Sequence, residues 1–319
     1  GSLLVFALRG HKVRSRVNNA LWSRESMLLG NNVILTAAML VVLLGTLLPL
    51  VHKQIGLGTI SIGEPFFNTM FIALMVPFAL LLGIGPLVRW GRDRPAAIKK
   101  LLIIATVLTV ILSFALPLLM EDRVEALTVV GLMMACWIAI LAFAEMRVRI
   151  SKKIKLTPSY WGMVLAHLGL AVTIVGIAFS QNYSIERDVK MKPGDSISIR
   201  AYTFVFNGVR EADGPNYQGV IGSISVKEKD KVIGVLMPEK RFYSVSRAVM
   251  TEAAIDGGFT RDLYAALGEE IAKDTWTMRL YYKPFVRWIW SGGVLMAIGA
   301  LFCLFDPRYR RRKLQGETA

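Results

Sequence analysis

His167 is the residue whose type and setting most directly invite chemistry. It stands in the run YWGMVLAHLGLAVTIVGIAFS, residues 160–180, which is otherwise apolar, small or uncharged. At about 1.5 Å per residue, such a run is long enough to cross a bilayer core of about 30 Å. His167 lies seven residues in from Tyr160, about 10 Å inside the membrane edge. An ionisable group at that depth is costly and is a functional hypothesis by default. A neutral imidazole there needs an acceptor for its N–H and a partner for its lone pair. An iron porphyrin meets the second need, and its macrocycle would cover apolar neighbours. A hydrogen bond between helices meets it equally well without any cofactor, so the residues alone leave both readings open.

On a helical wheel the same run has two faces. Gly162, Ala166, Gly169, Thr173 and Gly176 form one narrow stripe of small residues, the pattern that lets helix backbones approach closely. His167 falls off that stripe, beside Met163, Leu170 and Ile174. The remaining candidate ligands are sparse. His52 stands at the end of an apolar run beside Lys53, where an interfacial histidine is commonplace, and His11 sits in a basic stretch and is expected to be solvated. Three histidines spread this widely cannot build a multi-histidine metal site. Cys136 and Cys303 both lie in apolar runs, so neither a C-x-x-C pair nor a disulfide framework exists. No glycine-rich phosphate loop, Ser-His-Asp order or paired catalytic carboxylates stand out.

The elements that must position His167 follow from hydropathy and charge. Of 319 residues 54% are hydrophobic and only 19% charged, and the mean hydropathy is +0.49, which excludes an ordinary water-soluble globule. Six runs are long enough to span a bilayer: 33–51, 66–88, 101–120, 126–144, 160–180 and 285–305. The net charge of +15 would suit a nucleic-acid partner in a soluble protein. Here, however, 20 of the 38 basic residues lie in four segments, 9–24, 89–100, 147–155 and 308–313, each at every second crossing. The positive-inside rule puts all four in the cytoplasm, and nucleic acid is not an expected partner. The stub 2–8 reads as the last turns of a membrane helix rather than a signal peptide, and the chain as a piece or split subunit of something larger.

Between the last two spans, residues 181–284 carry 15 basic and 14 acidic residues, the balance of a folded extracytoplasmic domain. Alternation predicts strands over 196–200, 202–206 and 221–226, with a more continuous apolar strand over 232–237. Turn signals stand at Pro193–Gly194–Asp195, Asn207–Gly208 and Asp213–Gly214–Pro215. Thr260 is placed to cap a short helix over Arg261–Glu270, with Leu263, Leu267 and Ile271 on one face. Trp288 and Trp290 beside Arg287, with Tyr281 and Tyr282 just before, are expected to form an interfacial aromatic belt.

Several of these stretches also carry a resemblance. SRESMLLGNNVILTAAMLVVLLGTLLPL, SIGEPFFNTMF, YWGMVLAHLGLAVTIVGIAFSQNYSIERDV, TEAAIDGGFTRDLYAALGEE, RLYYKPFVRWIW and LFCLFDPRYR together resemble the C-terminal half of the CcmF family, the membrane haem lyase subunits of bacterial cytochrome c maturation. The resemblance covers essentially the whole chain. It implies an enzyme, a thioether-forming cytochrome c haem lyase working as part of a complex, in which His167 is one axial ligand to the iron of an intramembrane haem b. It implies quinol as a source of electrons. Implied partners are the haem chaperone CcmE, CcmH and CcmI, apocytochrome c with its C-x-x-C-H motif, and membrane lipid.

The family's tryptophan-rich WWD segment, its second haem b ligand and its two periplasmic histidines belong to the N-terminal half and have no counterpart here. His52 matches neither of those motifs and receives no such role. The chain alone is therefore expected to be insufficient, and to need that half as a fused or separate partner. An alternative is a non-catalytic haem transport or membrane-anchoring subunit. The implied fold is an α-helical polytopic membrane protein of the bacterial inner membrane, with a periplasmic β-rich (α+β) domain inserted before the last transmembrane helix. Its organisation would be the end of a truncated transmembrane helix (1–8), a cytoplasmic basic segment (9–32), a five-helix transmembrane region (33–180), the periplasmic domain (181–284), the last transmembrane helix (285–305) and a cytoplasmic basic tail (306–319). No catalytic residue is assigned.

Overall fold

The computed structural model describes Leu8 and residues 20–121 and 123–310. The expected helix remnant over 1–8, apart from Leu8, His11 and most of the first basic segment lie outside the described residues, as does the end of the basic tail. Six helices are long and apolar enough to cross a membrane among the described residues. They are α1 (Arg24–Gln54), α2 (Glu64–Ile84), α3 (Lys99–Glu121), α4 (Ala126–Ser151), α5 (Pro158–Tyr183) and α6 (Val286–Leu304). The chain divides into two compact units, one made of residues up to Leu112 with Cys136–Thr157, the other of Ser113–Ala135 with everything from Pro158 on.

In the first unit, α1 starts nine residues ahead of its apolar run because Ser23 caps it, accepting from the Ser26 N–H at 3.3 Å. The Glu25 carboxylate accepts the Gly91 N–H at 2.8 and 2.9 Å, and Arg24 Nε donates to the Val88 carbonyl at 2.9 Å. The start of α1 is thereby tied to the chain leaving α2. Glycines let these helices touch: a Cβ at Gly30 would meet Leu81 at 2.8 Å, and one at Gly45 would meet Phe67 at 2.7 Å. Trp137 closes the far side, its indole N–H donating to the Leu80 carbonyl at 3.3 Å beside a buried Ala105 and Leu141.

The second unit holds α5, α6 and the domain between them. Ten strands follow α5: β1 (Ile185–Met191), β2 (Ser196–Ile199), β3 (Tyr202–Glu211), β4 (Tyr217–Glu228), β5 (Lys231–Leu236), β6 (Glu239–Tyr243), β7 (Ala248–Glu252), β8 (Ala254–Gly257), β9 (Arg261–Ala272) and β10 (Thr275–Pro284). One sheet runs β1-β10-β9-β8; the other runs β2-β3-β4-β6-β7, with β5 also on β4. All pairings are antiparallel. Alternate residues Phe204 and Phe206, Ile224 and Val226, Leu263 and Leu267, and Met278 and Leu280 meet in one buried core between the sheets.

Two expectations are corrected here. The segment Arg261–Glu270 is not a capped helix but most of β9, so the inserted domain is β-rich without an α component among the described residues. Leu263, Ala265 and Leu267 are buried at every second position, and β8 and β10 satisfy the backbone on both edges. Ala, Leu and Glu favour a helix by only tenths of a kcal/mol each, about 0.7 at most, too little against a shared core. Asn207–Gly208 is not a turn either. It forms a bulge inside β3, where the register slips between Phe206 and Gly208. Gly208 adopts φ +125°, open to glycine alone in practice. The Asn207 amide donates across to the Ser225 hydroxyl at 2.8 Å.

Candidate functional site

α5 presents its two faces as different surfaces. The small stripe lies against α6. A Cβ at Gly162 would meet Cys303 Sγ at 2.5 Å, one at Gly169 the Gly292 carbonyl oxygen at 2.7 Å, and one at Gly176 the Ile289 nitrogen at 2.7 Å. Thr173 Oγ1 donates to the Ile289 carbonyl at 3.4 Å. Backbone thus touches backbone along most of the helix pair, and neither helix can rotate without a clash. That contact fixes which way the opposite face points.

His167 is half-buried on that other face. Its Nδ1 lies 2.7 Å from the Met163 carbonyl, one turn earlier. A carbonyl accepts only, so Nδ1 carries the proton and Nε2 carries the lone pair. A bond from one ring nitrogen to a backbone carbonyl is the arrangement that fixes the tautomer and orientation of a ligating histidine. Among the described residues no three His, Cys, Asp or Glu side chains gather into a group that could hold a metal by itself. His52 is engaged elsewhere: its Nδ1 lies 3.0 Å from the Gly58 carbonyl in the turn after α1.

Both ends of the α5–α6 pair are closed by side-chain clusters. At one end Asp306 is almost fully buried and accepts from the Ser159 N–H at 3.0 Å and hydroxyl at 2.6 Å. Arg308 Nη2 donates to it at 2.8 Å. The carboxylate so caps the start of α5 from the chain that leaves α6, and Arg308, then Ser159, hold its pKa far below the ordinary range. The run FDPRYR carries this signal, because an acid before proline is a capping residue.

At the other end, the chain passes from β10 into α6 through Phe285 alone, which takes a left-handed φ of 55° and donates its N–H to the Thr260 carbonyl at 2.9 Å. Phe179, Phe285 and Trp288 pack ring to ring at 4.8 and 5.1 Å. Tyr183 adds a polar pin: its hydroxyl donates to the Arg123 carbonyl at 3.0 Å and accepts from the Glu125 N–H at 3.1 Å. Of the expected aromatic belt, Trp288 is packed into this corner and Trp290 is exposed, while Tyr281 and Tyr282 belong to β10.

The sandwich is also joined to the end of α3. Glu121, buried, pairs with Arg200, which sits in a left-handed turn between β2 and β3. The Arg200 guanidinium lies 4.8 Å over the Tyr282 ring, Tyr282 stacks on Tyr202 at 6.1 Å, and Arg261 covers Tyr202 at 4.9 Å while pairing with Asp256 at 2.7 Å. Burial, then the nearby Glu121 carboxylate, raises the Tyr282 pKa, so this ring stays a neutral phenol in the stack. Only Glu121, in the acidic loop EDRVE, hinted at this junction in the sequence.

Fold and site together define a polytopic helical membrane protein that carries an antiparallel β-sandwich between two tightly packed helices and one oriented imidazole within the helical layer. Residues 182–284 match the family model described as the CcmF C-terminal beta-sandwich. The cytochrome c-type biogenesis protein CcmF of Escherichia coli K12 is 69% identical over all of this chain and 49% of its own length. The protein of the same name from Haemophilus influenzae is 54% identical over 97% of this chain and 49% of its own length. A solved structure titled Cytochrome c Heme Lyase CcmF superimposes with a TM-score of 0.75 at 25% identity, covering 96% of this chain and 49% of that one. In sequence and in fold the chain is similar to the C-terminal region of CcmF proteins, and it spans about half the length of the curated relatives it matches.

Proposed function

We propose that this chain is the C-terminal portion of a cytochrome c haem lyase, and that its own contribution to the site is His167 as one axial ligand of an intramembrane haem b. The observation that supports the reading is the Nδ1 contact to the Met163 carbonyl at 2.7 Å, which orients the imidazole on a face it shares with Met163, Leu170 and Ile174. Bound there, haem iron would supply one-electron redox chemistry, for which quinol is the proposed reductant. Met163, Leu170 and Ile174 flank His167 and would exclude water from the ring. The glycine contacts with α6 hold the imidazole at a fixed azimuth. The second axial ligand, and the groups that hold substrate haem, are assigned to an N-terminal half, fused or separate. Thioether bonds would form on the C-x-x-C-H thiols of apocytochrome c, with CcmE, CcmH and CcmI as the assembly's partners.

The same reading sets the chain in the bacterial inner membrane with its sandwich in the periplasm and its C-terminus in the cytoplasm. Basic clusters at every second crossing support that orientation. The organisation follows as a basic segment, a five-helix region, the periplasmic domain, the last helix and a basic tail.

His167→Ala in the complete protein tests the ligand assignment. The expected result is loss of b-type absorbance, restored in part by added imidazole, which a merely structural role would not produce. Unchanged absorbance in the variant overturns it. Thioether formation on a C-x-x-C-H peptide by the wild-type complex separates lyase from haem carrier, and haem transfer without bond formation would favour the carrier.

A further inference from the structure

We propose that the turn between β8 and β9 is an interfacial membrane anchor: Phe259 inserts at the edge of the acyl layer and, with Trp290 and Arg287 of α6, seats the β-sandwich on lipid. The inference rests on the membrane-crossing helices and not on the haem reading. Depth comes first. α6 has 19 residues, about 28 Å of helix for a core of about 30 Å, so it has no length to spare and its first turn must lie at the core boundary. The β8–β9 turn is fastened to that first turn. Trp288 Nε1 donates to the Phe259 carbonyl at 3.1 Å, the two rings lie 5.6 Å apart, and the Phe285 N–H bonds the Thr260 carbonyl at 2.9 Å. Phe259 therefore shares the level of the helix entrance.

Chemistry comes second. Phe259 is 77% exposed and Trp290 75% exposed, two large rings bare beside a spanning helix. A tryptophan is favoured at the headgroup level, where its apolar body meets hydrocarbon and its N–H meets water, and a bare phenylalanine is favoured in the adjoining acyl boundary. Arg287 lies between them in sequence, more than half exposed yet steered by Asp262 at 3.3 Å. A guanidinium at this level pairs with lipid phosphate while its stem lies along the apolar layer.

The turn is also tied by its backbone, and a Cβ at Gly258 would fall 2.9 Å from the Arg261 carbonyl oxygen. The Gly258 N–H is shared between the Arg261 carbonyl at 2.7 Å and the Asp262 carboxylate at 3.2 Å. The backbone at Phe259 is thus held in place, and its ring lies against Trp288.

The test uses the complete protein with Cys136 and Cys303 replaced by Ala, reconstituted in vesicles of phosphatidylethanolamine and phosphatidylglycerol. Phe259→Cys and Trp290→Cys are each labelled with an environment-sensitive fluorophore. At both sites, quenching by a lipid nitroxide near the headgroup is expected to exceed quenching by aqueous iodide severalfold. Quenching at 259 by iodide alone places the turn in water and overturns the proposal. Protection of 259 from both quenchers shows a protein segment covering it and overturns the proposal equally.

Discussion

One methyl group added at Gly169 probes the contact that aims His167. A Cβ there would lie 2.7 Å from the Gly292 carbonyl oxygen, 2.8 Å from Met296 Cγ and 2.9 Å from the Met296 nitrogen. Ordinary contact begins at 3.4 Å, so α5 and α6 would have to part locally by about 0.7 Å, the difference between 3.4 and 2.7 Å. Two of the three opposing atoms are backbone and cannot rotate away. Overpacking of this kind costs about 1–3 kcal/mol, roughly 5- to 150-fold in the folded-to-unfolded ratio. Alanine also gains about 1 kcal/mol of helix propensity over glycine, so the comparison must cancel that term. Gly293→Ala on α6 does so, because nothing lies within 4 Å of its Cβ. Reversible unfolding in mixed micelles, followed by SDS titration, should place Gly169→Ala about 1–3 kcal/mol below Gly293→Ala. The b-type spectrum of the complete protein should shift in the first variant and not in the second. If the two variants unfold within about 0.5 kcal/mol of each other, the close packing of α5 on α6 is refuted.

Two further predictions bear on the parts around that contact. Asp306→Asn should loosen the α5–α6 hairpin, measured as a lower unfolding midpoint. The folded pKa of Asp306 is depressed below its unfolded value, so its contribution is complete above the ordinary carboxylate range, near pH ~4, and is lost only as pH falls through the depressed value. The wild-type advantage should therefore be the same at about pH 5 and about pH 8, and an advantage that vanishes at the lower pH would contradict the capping role. In β9, Leu267→Ala should cost about 2–5 kcal/mol, since Leu267 is fully buried. Ile271→Ala should cost little, since Ile271 is 47% exposed; equal losses at both sites would favour one shared helical face over the strand.

Legibility followed the strength of the local signal. The spanning helices were readable because a long apolar run admits few other folds in a membrane protein. β2 to β5 announced themselves by alternation and by the turns at Gly194 and Gly214. β9 did not, because Thr260, Ala265 and Ala266 satisfy helical preferences locally and the decisive partners, β8 and β10, are tertiary. β6 and β7 are short, with side chains half or fully exposed, so they lack the buried alternation that marks a strand. His167 stood out because a titratable group is rare at that depth. Its tautomer did not, since a bond to the carbonyl four residues back is a matter of rotamer. Asp306 and Arg200 are not legible for a different reason: their partners Ser159 and Glu121 lie far away along the chain.

The placement of the sandwich explains why α5 needs so much glycine. A domain inserted between two helices would, if the helices were loosely packed, swing on two strands of chain. Here the helices meet backbone to backbone at three glycines of α5, Asp306 ties them together at one end, and Phe179, Phe285 and Trp288 lock them at the other. The pair behaves as a single post. The sandwich is fixed to that post through Thr260 and to the end of α3 through Arg200 and Glu121. His167 lies about 140° around the helix from Gly162 at 3.6 residues per turn, on the same post but facing away from α6. The glycine contacts are the part of this post that lies between the β10–α6 corner and the face carrying His167. Glycine at 162, 169 and 176 thus does two things at once: it brings α6 close, and it makes the orientation of His167 depend on that closeness.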